Sequence, residues 1–107
     1  MERYAWKAKI KDGMKEEYIR RHNAIWPELK ELLTEAGIQN YSIWLTGTEL
    51  FGYYECAKGM LHATRTQANS EIVDRWNEYM KDIMVMEMDP DTGAQPKLEQ
   101  VFMFPAE

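Results

Sequence analysis

Hydrophobic and polar positions alternate with a period of two over residues 3–11. Tyr4, Trp6, Ala8 and Ile10 fall on one side, and Arg3, Lys7, Lys9 and Lys11 largely on the other. That period describes a half-buried strand with a polar outer face. Asp12-Gly13 reads as a turn, and a helical period then runs over residues 14–36, with Ile19, His22, Trp26, Leu29, Leu32, Leu33 and Ala36 as its apolar stripe. Pro27 lies inside that stretch and has no N–H to donate to a continuous helix. The pattern therefore predicts a break near residues 23–26, with Pro27 in the first turn of a second segment and Gly37 closing it. Strand character returns at residues 38–45, where Tyr41, Ile43 and Leu45 oppose Asn40, Ser42 and Trp44. A turn at residues 46–49 leads to an aromatic-rich strand at 50–57, and the two strands read as a hairpin.

A second helical stretch spans residues 60–86. Asn69-Ser70 marks a break with an N-cap, and Glu71 follows in the first turn, where an acid is favoured. From there Ile72, Val73, Trp76, Tyr79, Met80 and Ile83 form an amphipathic face. Residues 89–93 read as a loop and residues 98–104 as a final strand. The resulting order, βαββαβ, is the ferredoxin-like α+β arrangement, in which helices cover one face of a single sheet. Several strands carry bulk on both faces, with Trp44 opposite Tyr41 and Tyr53 opposite Tyr54. Two helices cover only one face, so the second needs another partner. A homodimer with its sheets packed face to face is the simplest solution.

Composition narrows the function classes. The 107 residues suit one domain, 1–107, with 45% hydrophobic and 29% charged positions. A net charge of −5 argues against a nucleic-acid surface, and the dispersed basic residues, including the adjacent Arg20 and Arg21, read as solvated. No apolar run is long enough to span a membrane and no secretory signal opens the chain, so a cytoplasmic protein is expected. Cys56 lies in an apolar strand pattern and reads as a small buried hydrophobe. His22 and His62 share no metal-ligand spacing, and there is no glycine-rich phosphate loop. Neither a metal nor a cofactor is expected.

Candidate chemistry concentrates in residues 18–28, Tyr-Ile-Arg-Arg-His-Asn-Ala-Ile-Trp-Pro-Glu. Tyr18 and His22 are four apart and so share a helix face. A histidine pKa near 6.5 suits a general acid/base, while the plainer reading is a helix-face imidazole bonded to a neighbour. His62, in a polar run, reads as a surface residue. Tyr18, Tyr41 and Trp76 would equally serve as core. Together with His22 and Asn77, however, they make a set suited to a sugar. An indole stacks on the apolar face of a pyranose while polar groups take its hydroxyls. The same set would also accept a flat organic ligand.

Read together, Glu17-Tyr18, Arg20-Arg21-His22-Asn23, Ile25-Trp26-Pro27-Glu28, Asn40-Tyr41-Ser42-Ile43, Leu50-Phe51-Gly52-Tyr53, Arg75-Trp76, Tyr79-Met80 and Asp89-Pro90-Asp91 resemble the L-rhamnose mutarotase family. So does the closing Leu98-Glu99-Gln100-Val101-Phe102, and the resemblance covers nearly the whole chain in order. It implies a dimeric α+β barrel and a cofactor-free isomerase that interconverts the α and β anomers of L-rhamnose. It also implies that His22 is the acid/base residue and that Tyr18, Tyr41 and Trp76 line the sugar site. Family members typically carry a second tryptophan directly after the one matching Trp76. Here Asn77 stands in its place and exchanges a ring face for a hydrogen-bonding amide. Two other readings fit the same fold: a monooxygenase-like enzyme on a small dimeric barrel, and a ligand-binding dimer without catalysis.

Overall fold

In a computed structural model, which describes residues 1–85, 87–90 and 95–105, an antiparallel sheet carries its helices on one face. The elements are β1 (Glu2–Ile10), α1 (Lys15–Asn23), α2 (Pro27–Glu35), β2 (Ile38–Thr46), β3 (Glu49–Cys56), α3 (Met60–Ala68), α4 (Glu71–Met80) and β4 (Met84–Val85). The strand order is β2-β3-β1-β4, the ferredoxin-like arrangement expected from βαββαβ. Trp6, Ile10, Leu50, Tyr54 and Cys56 point from the sheet into the core and meet Tyr18, Ala63 and Met80 from the helices. Cys56 is buried, and His62 is exposed, its Nε2 against the Glu35 carbonyl. No helix among the described residues is long and apolar enough to cross a membrane.

Local chemistry sets the helix ends. Trp26 adopts extended backbone (φ −62°, ψ 138°), so the helix stops at Asn23 and restarts with Pro27 as its first residue. A proline at that position gives up no hydrogen bond. The Ser70 hydroxyl accepts from the Val73 N–H at 3.3 Å and caps α4. Gly37 follows α2 at φ +75°, and a Cβ there would also meet the Lys58 backbone nitrogen at 2.9 Å. Both demands select glycine.

Two expectations need correction. The second helical stretch ends at Met80 rather than continuing to 86, the last residue of which lies outside the described set. The Ile83 carbonyl accepts the Lys11 N–H at 2.9 Å, and Met84–Val85 then pairs with Lys9 and Ile10. Ile83 is buried as its periodic position suggests, but from a turn. Nor do residues 98–104 form a strand. Pairing along this edge resumes at Pro96, whose carbonyl accepts from Lys7 N–H, and ends with the Leu98 N–H donating to Ala5. Beyond it Val101, Phe102 and Phe104 are exposed. The loop expected at 89–93 falls partly on residues 91–93, which lie outside the described set.

Candidate functional site

Between the sheet and the helices lies a cavity of about 700 Å³. Tyr18, His22, Tyr41, Trp76 and Asn77, all five sequence candidates, line it. Tyr18 and His22 come from α1, Tyr41 from β2, and Trp76 and Asn77 from α4.

His22 is held on three sides. Its ring stacks on the Tyr18 ring at 4.2 Å between centroids and meets Trp76 edge-on at 5.4 Å. Its Nδ1 lies 3.1 Å from the Tyr18 carbonyl oxygen. A carbonyl only accepts, so Nδ1 carries the proton and the neutral ring keeps a lone pair on Nε2. Nε2 has no hydrogen-bond partner among the described residues. Burial lowers the His22 pKa from 6.5, against the opposing pull of the Tyr18 carbonyl. The neutral imidazole is thus the resting form near neutral pH, with its basic nitrogen free.

The hydroxyl groups differ. Tyr18 is buried, and desolvation drives its pKa above the ordinary tyrosine range. Its hydroxyl makes no hydrogen bond among the described residues and lines the cavity. Tyr41 is partly exposed, and its hydroxyl accepts the Trp6 indole N–H at 3.1 Å. Burial raises its pKa, partly offset by that donated hydrogen bond. Asn77 forms no hydrogen bond among the described residues, which leaves its amide available to a ligand.

Other residues hold these in place, and sequence reasoning missed most of them. Trp26, set by the break before Pro27, packs edge-on against Trp76 at 5.2 Å and beside Tyr79 at 5.5 Å. Arg21, expected to be solvated, is instead nearly enclosed. It donates to Glu17 at 2.7 Å, to Asp82 at 2.9 Å and to the Tyr79 carbonyl at 2.8 Å, and its guanidinium lies over the Tyr79 ring. A planar fork reaching three acceptors joins α1 to the end of α4, and so His22 to Trp76. Arg20 and Arg21 hold the Glu17 carboxyl down to about 2. On the sheet side, Tyr54 stacks on Tyr4 and accepts from Gln67 Nε2 at 3.3 Å. Trp6 looks like ordinary core in the strand pattern. Its indole N–H nonetheless reaches Tyr41, and the one sequence signal for that is Gly52 in the middle of an aromatic strand. Among the described residues no group of three or more His, Cys, Asp or Glu is placed to hold a metal.

The L-rhamnose mutarotase family model matches residues 3–104. A relative of that name from Formosa agariphila is 40% identical over 105 residues, spanning 95% of this chain and 97% of its own. Another, from Sinorhizobium fredii, is 43% identical over 105 residues with the same coverage of both chains. The crystal structure of an L-rhamnose mutarotase from Formosa agariphila superposes with a TM-score of 0.78 at 37% identity, covering 96% of this chain and 98% of that one.

Proposed function

The chain belongs to the L-rhamnose mutarotase family, and on that premise we propose that it interconverts the α and β anomers of L-rhamnose or a closely related pyranose, with His22 as the acid/base group. It is an isomerase of the mutarotase type. The observation that carries the His22 role is the unpartnered Nε2 of a neutral imidazole in the cavity wall. Nε2 withdraws the proton of the anomeric hydroxyl, and the imidazolium so formed returns a proton to the ring oxygen as its bond to C1 breaks. The open aldehyde turns about C1–C2 and closes on the opposite carbonyl face by the reverse transfers. Atoms and oxidation state balance without a cofactor. Tyr18, Tyr41 and Asn77 take sugar hydroxyls, and Trp76 forms an apolar wall.

Anomer exchange of L-rhamnose, followed by saturation-difference NMR or polarimetry, tests this directly. His22→Ala is expected to lose about 10²–10⁴-fold in rate while its far-UV circular dichroism is unchanged. Exchange at the buffer rate with wild-type protein would sink the rhamnose assignment, and a panel of aldoses would then identify the substrate. A protein that only binds sugar would show affinity without acceleration, and a monooxygenase-like enzyme would consume oxygen.

We also propose a homodimer joined through the outer sheet face. Trp44 and Phe51 are register partners there, both exposed, and the apolar end of the chain at Val101, Phe102 and Phe104 is uncovered as well. Large apolar side chains exposed side by side on one sheet face, as Trp44 and Phe51 are, suit a protein–protein contact.

A further inference from the structure

Trp6 lies on β1 and Tyr41 on β2, with β3 between them. The 3.1 Å contact from Trp6 Nε1 to Tyr41 Oη therefore spans the width of an intervening strand. It does so by crossing Gly52, the register partner of Trp6. A Cβ at Gly52 would come within 2.0 Å of the indole ring. Glycine is required here for the space above it, since its φ lies outside the left-handed range.

A second irregularity acts on the same phenol. Gln39 pairs with Glu55, but Ser42 pairs with Tyr53, so β2 contains one extra residue between them. Asn40 lies in that gap at φ +50°, a left-handed conformation that asparagine tolerates, and its side-chain amide donates to Glu55. Continued without the shift, the register of Gln39 would set Tyr41 opposite Tyr53 on the outer face. The bulge sets it with Tyr54 on the cavity face. A missing side chain and an added residue thus converge on one hydroxyl.

An indole N–H only donates, so Tyr41 Oη must accept from it, and its own O–H is left to donate elsewhere. We propose that Trp6 is a positioning residue that holds Tyr41 as a hydrogen-bond donor to a sugar oxygen in the cavity. The proposal rests on the sugar-site reading above. A donor fixed in advance gains strength as its acceptor oxygen gains electron density during ring opening, so Trp6 acts on kcat more than on KM.

The chain has four tryptophans, and their indole N–H resonances in ¹H–¹⁵N spectra test the contact without turnover. Tyr41→Phe should move the Trp6 resonance and leave that of Trp44 in place. Trp6→Phe keeps a ring above Gly52 and should lower kcat for anomer exchange about 5–10-fold, with KM little changed. Trp6→Phe combined with Tyr41→Phe should exchange no more slowly than Tyr41→Phe alone. An unmoved resonance overturns the proposal, and so does an equal loss from Trp6→Phe in both backgrounds, which would mark packing alone. The resonance measurement stands even where Trp6→Phe does not fold. A moved resonance in a wild-type protein that accelerates exchange of no aldose removes the donor role and the sugar reading together, and leaves only the contact.

Discussion

Trp6 and Trp44 lie on strands of one sheet, and they show how differently its two faces are used. Trp6, on the inner face, is 8% exposed, and its indole N–H reaches across a strand to Tyr41. Trp44, on the outer face, is 66% exposed, and its N–H goes only to the Ser42 hydroxyl two residues away on its own strand. Their register partners differ to match. Trp6 faces Gly52, which yields space to it, and Trp44 faces Phe51, which adds to the apolar surface. On the inner face side chains are tied to one another around a cavity. On the outer face Trp44 is tied only to its own strand and presents a surface. A tryptophan is therefore informative through what its N–H and its ring meet, and not through its presence in a strand.

Gly52→Ala should break the contrast most strongly, because it forces a methyl group into the Trp6 ring. A loss of about 1–3 kcal/mol is expected for such overpacking, or roughly 5–20 °C in Tm. A Tm equal to wild type would show that the indole moves aside freely. Trp44→Lys probes the other face. Its effect on the folding of a single protomer should stay within about 0.5 kcal/mol, while analytical ultracentrifugation should show monomer at concentrations where the wild type is dimeric. A wild-type protein that sediments as a monomer throughout would remove the dimer. The smallest effect concerns pH. Burial lowers the His22 pKa below 6.5, so the unfolded chain binds this proton at a higher pH than the folded protein does. The His22 contribution to stability is therefore complete above pH 6.5 and is lost as pH falls toward the lower folded-state value. The acid limb of the rate profile should likewise lie below 6.5. His22→Gln should flatten this part of the stability profile, and an unchanged profile would mean that the imidazole is not desolvated.

Much of this was legible from period and punctuation. Pro27, Gly37 and Ser70 act through their own backbone or hydroxyl chemistry within a few residues, and each stands where the pattern put it. The five candidate site residues do line one cavity, because helical spacing and strand alternation already set their faces. What escaped was non-local. Just past α4 the Ile83 carbonyl accepts a Lys11 N–H from a distant part of the chain, and Ile83 keeps the helical period after the helix has stopped. The bulge at Asn40 adds a residue without altering the apparent alternation of Tyr41, Ile43 and Leu45. Arg21 looks solvated in a charged run until Tyr79 on α4 and Asp82 just beyond it supply distant acceptors. The final strand failed because its hydrophobic residues suit pairing, yet edge pairing along β1 ends at Leu98.

The hydrogen bond from His22 Nδ1 to the Tyr18 carbonyl leaves the imidazole a single nitrogen for exchange. Under the proposed chemistry, the proton lifted from the anomeric oxygen and the one set down on the ring oxygen pass through the same atom. Both oxygens are bonded to C1, so that atom serves them in turn with little displacement. Each half-cycle then restores the neutral ring without drawing on solvent. Turnover should therefore be indifferent to buffer concentration, unlike the spontaneous reaction in water, which depends on dissolved acids and bases to carry protons between the two oxygens.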